Sequence, residues 1–243
     1  MALAGIASRR KCESLIEHGE VAVNGEPVKD LGRQVDPEKD RITFRGRPLA
    51  FQKSVYFLLH KPAGYVTSAS DPHAEKTVYR LLPRQLVGSH AHRSEQRVFP
   101  VGRLDQDSTG LLLFTNDGDL ANQLTHPRYE VPKEYEVEVD HPVQPADREK
   151  LLQGVHLEEG LARVEKADLL DPKSLRLTLR EGKKREVRRI LQTLGYRVDR
   201  LCRVSFGPLK LGTLPVGHGR FLTPAEITAL KRASALSGLP SPQ

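Results

Sequence analysis

Apolar residues recur along the chain in two registers, one of period two and one of period 3.6, and each change of register marks an element. Lys133-Glu134-Tyr135-Glu136-Val137-Glu138-Val139 alternates cleanly. Tyr135, Val137 and Val139 share one face and the three glutamates take the other, which predicts a strand solvated on one side. Leu175 to Arg180 alternates in the same way. Leu111 to Phe114 is a continuous apolar run, read as a short buried strand that Asn116-Asp117-Gly118 closes in a turn. A helix follows from Asp119 to Thr125, stopped by Pro127. Val55 to Leu59 reads as a strand, Thr77 to Leu82 as a short helix and Pro145 to Gly154 as another helix. Val187, Ile190, Leu191 and Leu194 form an i, i+3, i+4, i+7 set ended by Gly195. At one hundred degrees per residue, Arg185, Arg188 and Arg189 fall on the opposite face of that helix. Strands are interspersed with helices without a strict βαβ rhythm. The expected class is α+β, with a mixed, largely antiparallel sheet and flanking helices.

Residues 1–50 form a small separate module in this reading. Ser8 is a helix cap before Arg9 to His18, with Cys12, Leu15 and Ile16 on one face and Gly19 as the stop. Val21-Ala22-Val23 is a strand, Asn24-Gly25 a tight hairpin, Val35-Asp36-Pro37 a turn, and Ile42-Thr43-Phe44 a last strand. A junction at Phe51 to Val55 leads to a larger domain over 51–235, and a Ser/Gly/Pro tail over 236–243 is read as disordered. Residues 83–96 are polar and irregular. His90 and His92 within them are read as part of a mobile loop rather than as metal ligands, since no cysteine or further histidine lies near in sequence.

The net charge of +7 changes this picture through its distribution. Eleven Lys or Arg but only three acids (Glu181, Glu186, Asp199) lie between Arg176 and Lys210, so the rest of the chain is close to balanced. A localised basic stripe is the footprint of a surface for a polyanion, here RNA. The alternative is a solvated helix face. No stretch approaches the length of a membrane span. Cys12 and Cys202 are too few for a disulfide framework, which points to the reducing cytoplasm. The apolar start precedes its charges, the reverse of a secretory signal.

The densest chemistry lies in Gly102-Arg103-Leu104-Asp105-Gln106-Asp107-Ser108-Thr109-Gly110-Leu111-Leu112. It sets a carboxylate, Asp105, on a loop ahead of a buried strand, where catalytic groups tend to sit. On residue types alone, the commoner role is structural, with Asp105 capping a turn and paired to Arg103. The stretch resembles the GRLDxxTxGLL signature of ribosomal RNA pseudouridine synthases, in the branch that includes the small-subunit enzyme A and the large-subunit enzymes B, E and F. That resemblance reverses the order and implies that Asp105 is catalytic. Ser8 to Val28 is similar to the alpha-L RNA-binding module, which implies phosphate contacts for Arg9, Arg10 and Lys11 at a helix start. That module usually carries a few more residues ahead of the position of Met1.

The resemblance extends from Gly5 to about Ile227. His60-Lys61-Pro62-Ala63-Gly64 is similar to the family's Lys-Pro-x-Gly motif, which implies a structural part beneath the site. Tyr135 matches the family's active-site tyrosine, which implies stacking on uracil and handling of a proton. Periodicity alone makes it a half-buried strand aromatic. Glu181 to Leu191 matches the third motif and implies that Arg188 pairs with Asp105, with Lys184 standing where Asn is commoner. Arg103, Lys183, Arg185 and Arg189 join the expected RNA-binding set, and Leu201 is the expected apolar residue beneath the base. The implied reaction is isomerisation of uridine to pseudouridine, in which the base leaves its stack, with no cofactor and no metal. Segments such as His126-Pro127-Arg128-Tyr129-Glu130 resemble the large-subunit enzyme B group, with small-subunit RNA as the alternative substrate. The expected protein is a cytoplasmic monomer acting on ribosomal RNA or a subunit precursor. Two other readings stay open: a non-catalytic RNA-binding assembly factor, and a glycosidase site built on Asp105 and Asp107.

Overall fold

A computed structural model describes residues 1–2, 4–7, 9–36, 39–50, 52–68, 75–87 and 98–236. The chain forms two compact units, Met1–Ser54 with Arg84–Arg97, and Val55–Pro83 with Val98–Gln243. Ser8, Pro37, Phe51, His90, His92 and the tail beyond Leu236 carry expectations that lie outside the described residues.

In the first unit, helix α1 (Arg9–Glu17) precedes strands β1 (Val21–Val23), β2 (Glu26–Val28), β3 (Ile42–Phe44) and β4 (Arg47–Pro48). The sheet order is β2-β1-β3-β4. Asn24 and Gly25 both have left-handed backbone (φ 54° and 91°), as a two-residue hairpin requires. Pro27 and Pro48 lack a backbone donor, and both lie in edge strands, where that loss is tolerated. Cys12, Val21, Val23 and Val28 are buried together with few other apolar groups. A short helix α2 (Arg84–Val87) belongs to this unit as well.

The second unit is built on β5 (Tyr56–Lys61), β6 (Phe99–Pro100), β7 (Thr109–Thr115), β8 (Lys133–Val139), β9 (Val155–Leu157), β10 (Gly160–Ala162), β11 (Lys166–Asp171), β12 (Ser174–Leu179), β13 (Val198–Phe206), β14 (Leu209–Lys210) and β15 (Gly219–Phe221). Its helices are α3 (Gly118–Thr125), α4 (Pro145–Gln153), α5 (Glu186–Thr193) and α6 (Pro224–Leu236). A nine-stranded sheet runs β11-β12-β8-β13-β7-β5-β15, with β14 on β13 and β6 on β7. Within this sheet, among the described residues, only the β13–β7 pairing is parallel, so the sheet is mixed and largely antiparallel, as the sequence predicts. β9 and β10 form a separate hairpin.

Two apolar clusters hold this unit. One joins Leu58, Leu111 and Leu113 to Leu120 and Leu124 of α3 and Leu230 of α6. The other joins Val137, Leu175, Leu177 and Leu201 to Leu151 of α4 and to Val187, Ile190 and Leu191 of α5. The α5 stripe is thus buried where its spacing requires. Along β8 the glutamates face outward and meet cations: Glu134 with Lys210 at 2.9 Å, Glu136 with Arg176 at 2.7 Å. The expected helix over 77–82 is a 3-10 turn, Val78–Leu81. β13 and α6 were not foreseen, because Val198–Phe206 mixes charges with apolar residues and α6 has no clean apolar stripe. Among the described residues no helix is long and apolar enough to cross a membrane.

Candidate active site

The parallel contact between β7 and β13 positions the Asp105 loop. Cys202 lies beside Thr109 and Arg203 beside Gly110. A side chain at Gly110 would place its Cβ 2.3 Å from the Arg203 carbonyl oxygen, and its φ is +110°, so only glycine lets the strands approach. The chain therefore enters β7 tightly against β13, and Leu104 to Ser108 must turn just before it. The Thr109 hydroxyl donates to the Leu201 carbonyl at 3.3 Å.

Residues 61–67 hold that turn from beneath. Lys61, the last residue of β5, is fully buried. Its ammonium lies 2.8 Å from Ser108 O, 2.9 Å from Asp105 O, 3.1 Å from Pro62 O and 3.3 Å from Gln106 O. Gly64 N–H donates to Gln106 O at 2.7 Å, and the Thr67 hydroxyl donates to Leu104 O at 2.8 Å. Burial pulls the Lys61 pKa down to about 8, against the opposing pull of Asp107 and Asp105. A single ammonium gathers the carbonyls of Asp105, Gln106 and Ser108, and the Gly64 and Thr67 donors add to it, so the backbone around Asp105 is ordered before any ligand arrives.

Two arginines close the other side. Arg185 is not a helical residue; it caps α5 with left-handed backbone (φ 52°, ψ 31°). Its guanidinium forks onto Asp107, with Nη1 3.2 Å from Oδ1 and Nη2 3.0 Å from Oδ2. The same Nη1 stands 3.8 Å from Asp105 Oδ2. Arg188 donates to Val198 O at 3.0 Å and to Asp107 O at 3.2 Å, and approaches Asp107 Oδ2 at 3.3 Å. The expected Arg188–Asp105 pair is therefore corrected: Arg185 is the cation beside Asp105, and Arg188 serves Asp107. Helical phase could not anticipate this, because Arg185 lies outside the helix and Arg188 is tied down by two carbonyls. Burial pushes the Asp107 carboxyl up, but the Arg185 hydrogen bonds and the charges of Arg188 and Arg185 outweigh it and hold the pKa below the usual value.

Tyr135 is half-buried on β8, opposite Leu177 on β12 and Arg203 on β13, against the second apolar cluster. Leu201 is buried across from Val137 on the same two strands. Arg203 is almost wholly buried; its Nε donates to Leu111 O at 2.8 Å and its guanidinium lies over the Phe206 ring. Lys133, two residues before Tyr135, reaches Val131 O at 3.0 Å and Arg180 O at 3.2 Å, tying β8 to the segment that leads into Arg185. Burial and the nearby Arg203 lower its pKa to about 8, against the pull of Glu186. The buried polar atoms without a partner among the described residues are Ser108 Oγ, Glu186 Oε1, Arg188 Nε and Arg203 Nη2. Ser108 lies on the Asp105 loop, Glu186 and Arg188 on α5, and Arg203 on the strand beside Gly110.

The remaining expected RNA contacts divide. Arg103 and Lys184 are exposed, and no acid lies within ion-pair distance of either among the described residues. Lys183 pairs with Glu181 at 2.7 Å, and Arg189 forks onto Glu159 of the β9–β10 turn at 2.5 Å. Arg9, Arg10 and Lys11 are exposed in the first turn of α1. Lys61 lies beneath the Asp105 loop, where the Lys-Pro-x-Gly resemblance implies a structural part. Asp107 entered the sequence reading only as half of the alternative glycosidase pair, and the parts of Lys133 and Arg203 were not assigned.

Comparison with known proteins shows the family. Residues 55–193 match the family described as RNA pseudouridylate synthase, and residues 1–42 match the S4 domain. The chain is 40% identical over 242 residues to an uncharacterized RNA pseudouridine synthase of Aquifex aeolicus, covering 98% of this chain and 94% of that one. It is 40% identical over 240 residues to ribosomal large subunit pseudouridine synthase B of Bacillus subtilis, covering 95% and 93%. A solved pseudouridylate synthase structure superimposes with a TM-score of 0.68 at 31% identity, covering 94% of this chain and 95% of that one. With an S4 domain ahead of a synthase domain whose signature loop is braced as described, the chain belongs to the RNA pseudouridylate synthase family of isomerases.

Proposed function

We propose that this enzyme converts a specific uridine of large-subunit ribosomal RNA to pseudouridine, with Asp105 starting the reaction and no cofactor. The observation that carries the assignment of Asp105 is its place on a rigid loop: backbone held by Lys61, carboxylate half-exposed, one guanidinium 3.8 Å away. A carboxylate so held is oriented and open to a reacting atom. The likeness to the Bacillus subtilis large-subunit enzyme supports the choice of RNA.

The net chemistry replaces the N1–C1′ bond of uridine by a C5–C1′ bond and moves one proton from C5 to N1. Nothing is oxidised and no group is lost, so side chains suffice. Asp105 begins it by attacking sugar or base, or by removing a sugar proton. Tyr135 offers a flat face to the turned base, with Leu201 as the apolar floor beneath it. Arg185 and Arg188 supply positive charge at the rim. Arg9, Arg10 and Lys11 would meet phosphate as a docking arm, with Arg103, Lys183 and Arg189 as further contacts.

Mapping pseudouridine in ribosomal RNA from a strain lacking this protein tests the reading. Restoration of one large-subunit site by the wild-type chain, and not by Asp105→Asn, is the expected result. A missing site in small-subunit RNA would move the substrate, and an unchanged map would refute the assignment.

A further inference from the structure

Folding spends most of the basic stripe between Arg176 and Lys210. Among the described residues, nine of its eleven cations pair with acids, Arg203 is almost wholly buried, and Lys184 alone stays exposed and unpaired. β8 supplies Glu134, Glu136 and Glu138 to Lys210, Arg176 and Arg200. A cation that holds a carboxylate adds no net charge to its surface, and it can meet phosphate only by giving that acid up. Lys183 and Arg189 are in that position, with Glu181 and Glu159 as their acids. Little net positive charge is left on the stripe for a polyanion.

Free cations gather instead around the Asp105 loop. Arg103 stands on the loop itself. Lys76 and Arg80 stand on the segment strapped behind it: Val66 N–H donates to Lys76 O at 2.9 Å, Val78 N–H donates to Val66 O at 3.0 Å, and the neighbouring Thr67 hydroxyl holds Leu104 O at 2.8 Å. One stretch of backbone thus separates Lys76 from Leu104, on the order of 10 Å at ~4.8 Å per extended neighbour. Lys184, on the other side of the loop, directly precedes Arg185, which forks onto Asp107. All four are exposed, and none has an acid within ion-pair distance among the described residues. Glu75 is exposed beside Lys76 but bridges to neither Lys76 nor Arg80. Lys166, also unpaired, is set apart on β11, four strands from β7.

We propose that Lys76, Arg80, Arg103 and Lys184 are the main phosphate contacts of the second unit, a track of free cations flanking the Asp105 loop on which the RNA strand lies. The proposal rests on the reading of RNA as the substrate. Like charges left together repel, and a polyanion relieves that repulsion. A strand gripped by its backbone on both sides of the loop leaves its bases free to turn toward Asp105.

The test compares the wild-type chain with a Lys76→Ala/Arg80→Ala double variant, with Lys184→Ala, and with Arg176→Ala/Arg200→Ala from the stripe. The two double variants lose the same formal charge. Kd for polyuridylate is measured against salt concentration, and melting temperature checks the fold. Lys76→Ala/Arg80→Ala should lower the salt slope by up to ~1.4, at ~0.7 per single-strand phosphate contact, and weaken binding by up to ~25-fold at ~0.1 M salt. Lys184→Ala should lower the slope by ~0.7. Arg176→Ala/Arg200→Ala should keep a slope close to wild type. An unchanged slope in the Lys76→Ala/Arg80→Ala variant overturns the proposal. So does an equal fall in the stripe variant, which would mean that net charge alone counts. If the first double variant melts early, Lys76→Gln and Arg80→Gln singly decide, at ~0.7 each. Absence of pseudouridine formation by the wild-type enzyme on ribosomal RNA would refute the functional reading instead, and the slopes would still decide the docking track.

Discussion

Replacing Lys61 by methionine keeps the buried stem and removes only the ammonium. Of its four carbonyl partners, two keep another donor: Ser108 N–H on Asp105 O at 3.1 Å and Gly64 N–H on Gln106 O at 2.7 Å. The loss therefore falls on Pro62 O and Ser108 O, at ~1–3 kcal/mol for each carbonyl left without its donor, or ~2–6 kcal/mol together. Against this stands the cost of burying the charge. The fall in the Lys61 pKa from 10.5 to about 8 is worth ~3.4 kcal/mol at ~1.36 kcal/mol per pH unit. The two nearly offset, so unfolding free energy at pH 7 should move by no more than ~3 kcal/mol in either direction. The loop has no such offset. Asp105 and Ser108 lose the group that fixes their carbonyls, and a misplacement of about 1 Å can cost ~100-fold in rate.

The expected phenotype is a folded chain with retained RNA affinity and a kcat lower by ~10- to 100-fold. Urea denaturation and single-turnover kinetics on the same preparation read both quantities. The pH dependence of stability adds a check. The unfolded chain binds more protons than the native one between about 8 and 10.5 at this lysine, so this group makes wild-type stability rise with pH across that window. Its share of the rise should vanish in Lys61→Met, leaving that of Lys133, whose pKa is also about 8. A destabilisation above ~5 kcal/mol would show that the hydrogen bonds outweigh the buried charge, against the ledger above. An unchanged kcat would show that the Asp105 loop does not need the clamp.

Asp105→Asn should abolish pseudouridine formation while RNA affinity and melting temperature stay close to wild type; turnover above about one per cent of wild type would sink the assignment, since such a group is worth at least ~100-fold. Gly110→Ala should destabilise the second unit by more than ~3 kcal/mol, because a Cβ 2.3 Å from Arg203 O must force β7 from β13; a denaturation midpoint near wild type would refute the close approach. Changing Arg9, Arg10 and Lys11 together to Ala should weaken binding to all RNA sequences alike and lower the salt slope by up to ~2, with turnover at saturation unchanged. An unaltered slope in binding titrations would remove these residues from the docking surface.

The hairpin at Asn24-Gly25, the alternation of β8 and the buried stripe of α5 were legible because each is a local pattern. Turn chemistry and a repeat of 2 or 3.6 need no partner to be recognised, and the α+β class follows from their order. The Asp105 motif was legible for a different reason: its residues resemble a known signature. β13 was not legible, since Arg200 and Arg203 interrupt its apolar residues, and neither was the burial of Arg203.

What the sequence by itself determined is the strongly periodic elements, the class of fold, the family and the loop that carries Asp105. Only the tertiary structure decided which charges meet. Arg185 and Asp107 are 78 residues apart, and Lys61 and Asp105 are 44 apart. Their encounter depends on the parallel register of β7 on β13 and on the left-handed cap that takes Arg185 out of helical phase. Local periodicity assigns a lysine or arginine to solvent, because burying a lone charge is costly. Folding reverses that assignment where a loop offers several carbonyls at once, and no run of neighbouring residues records that such a loop will lie there.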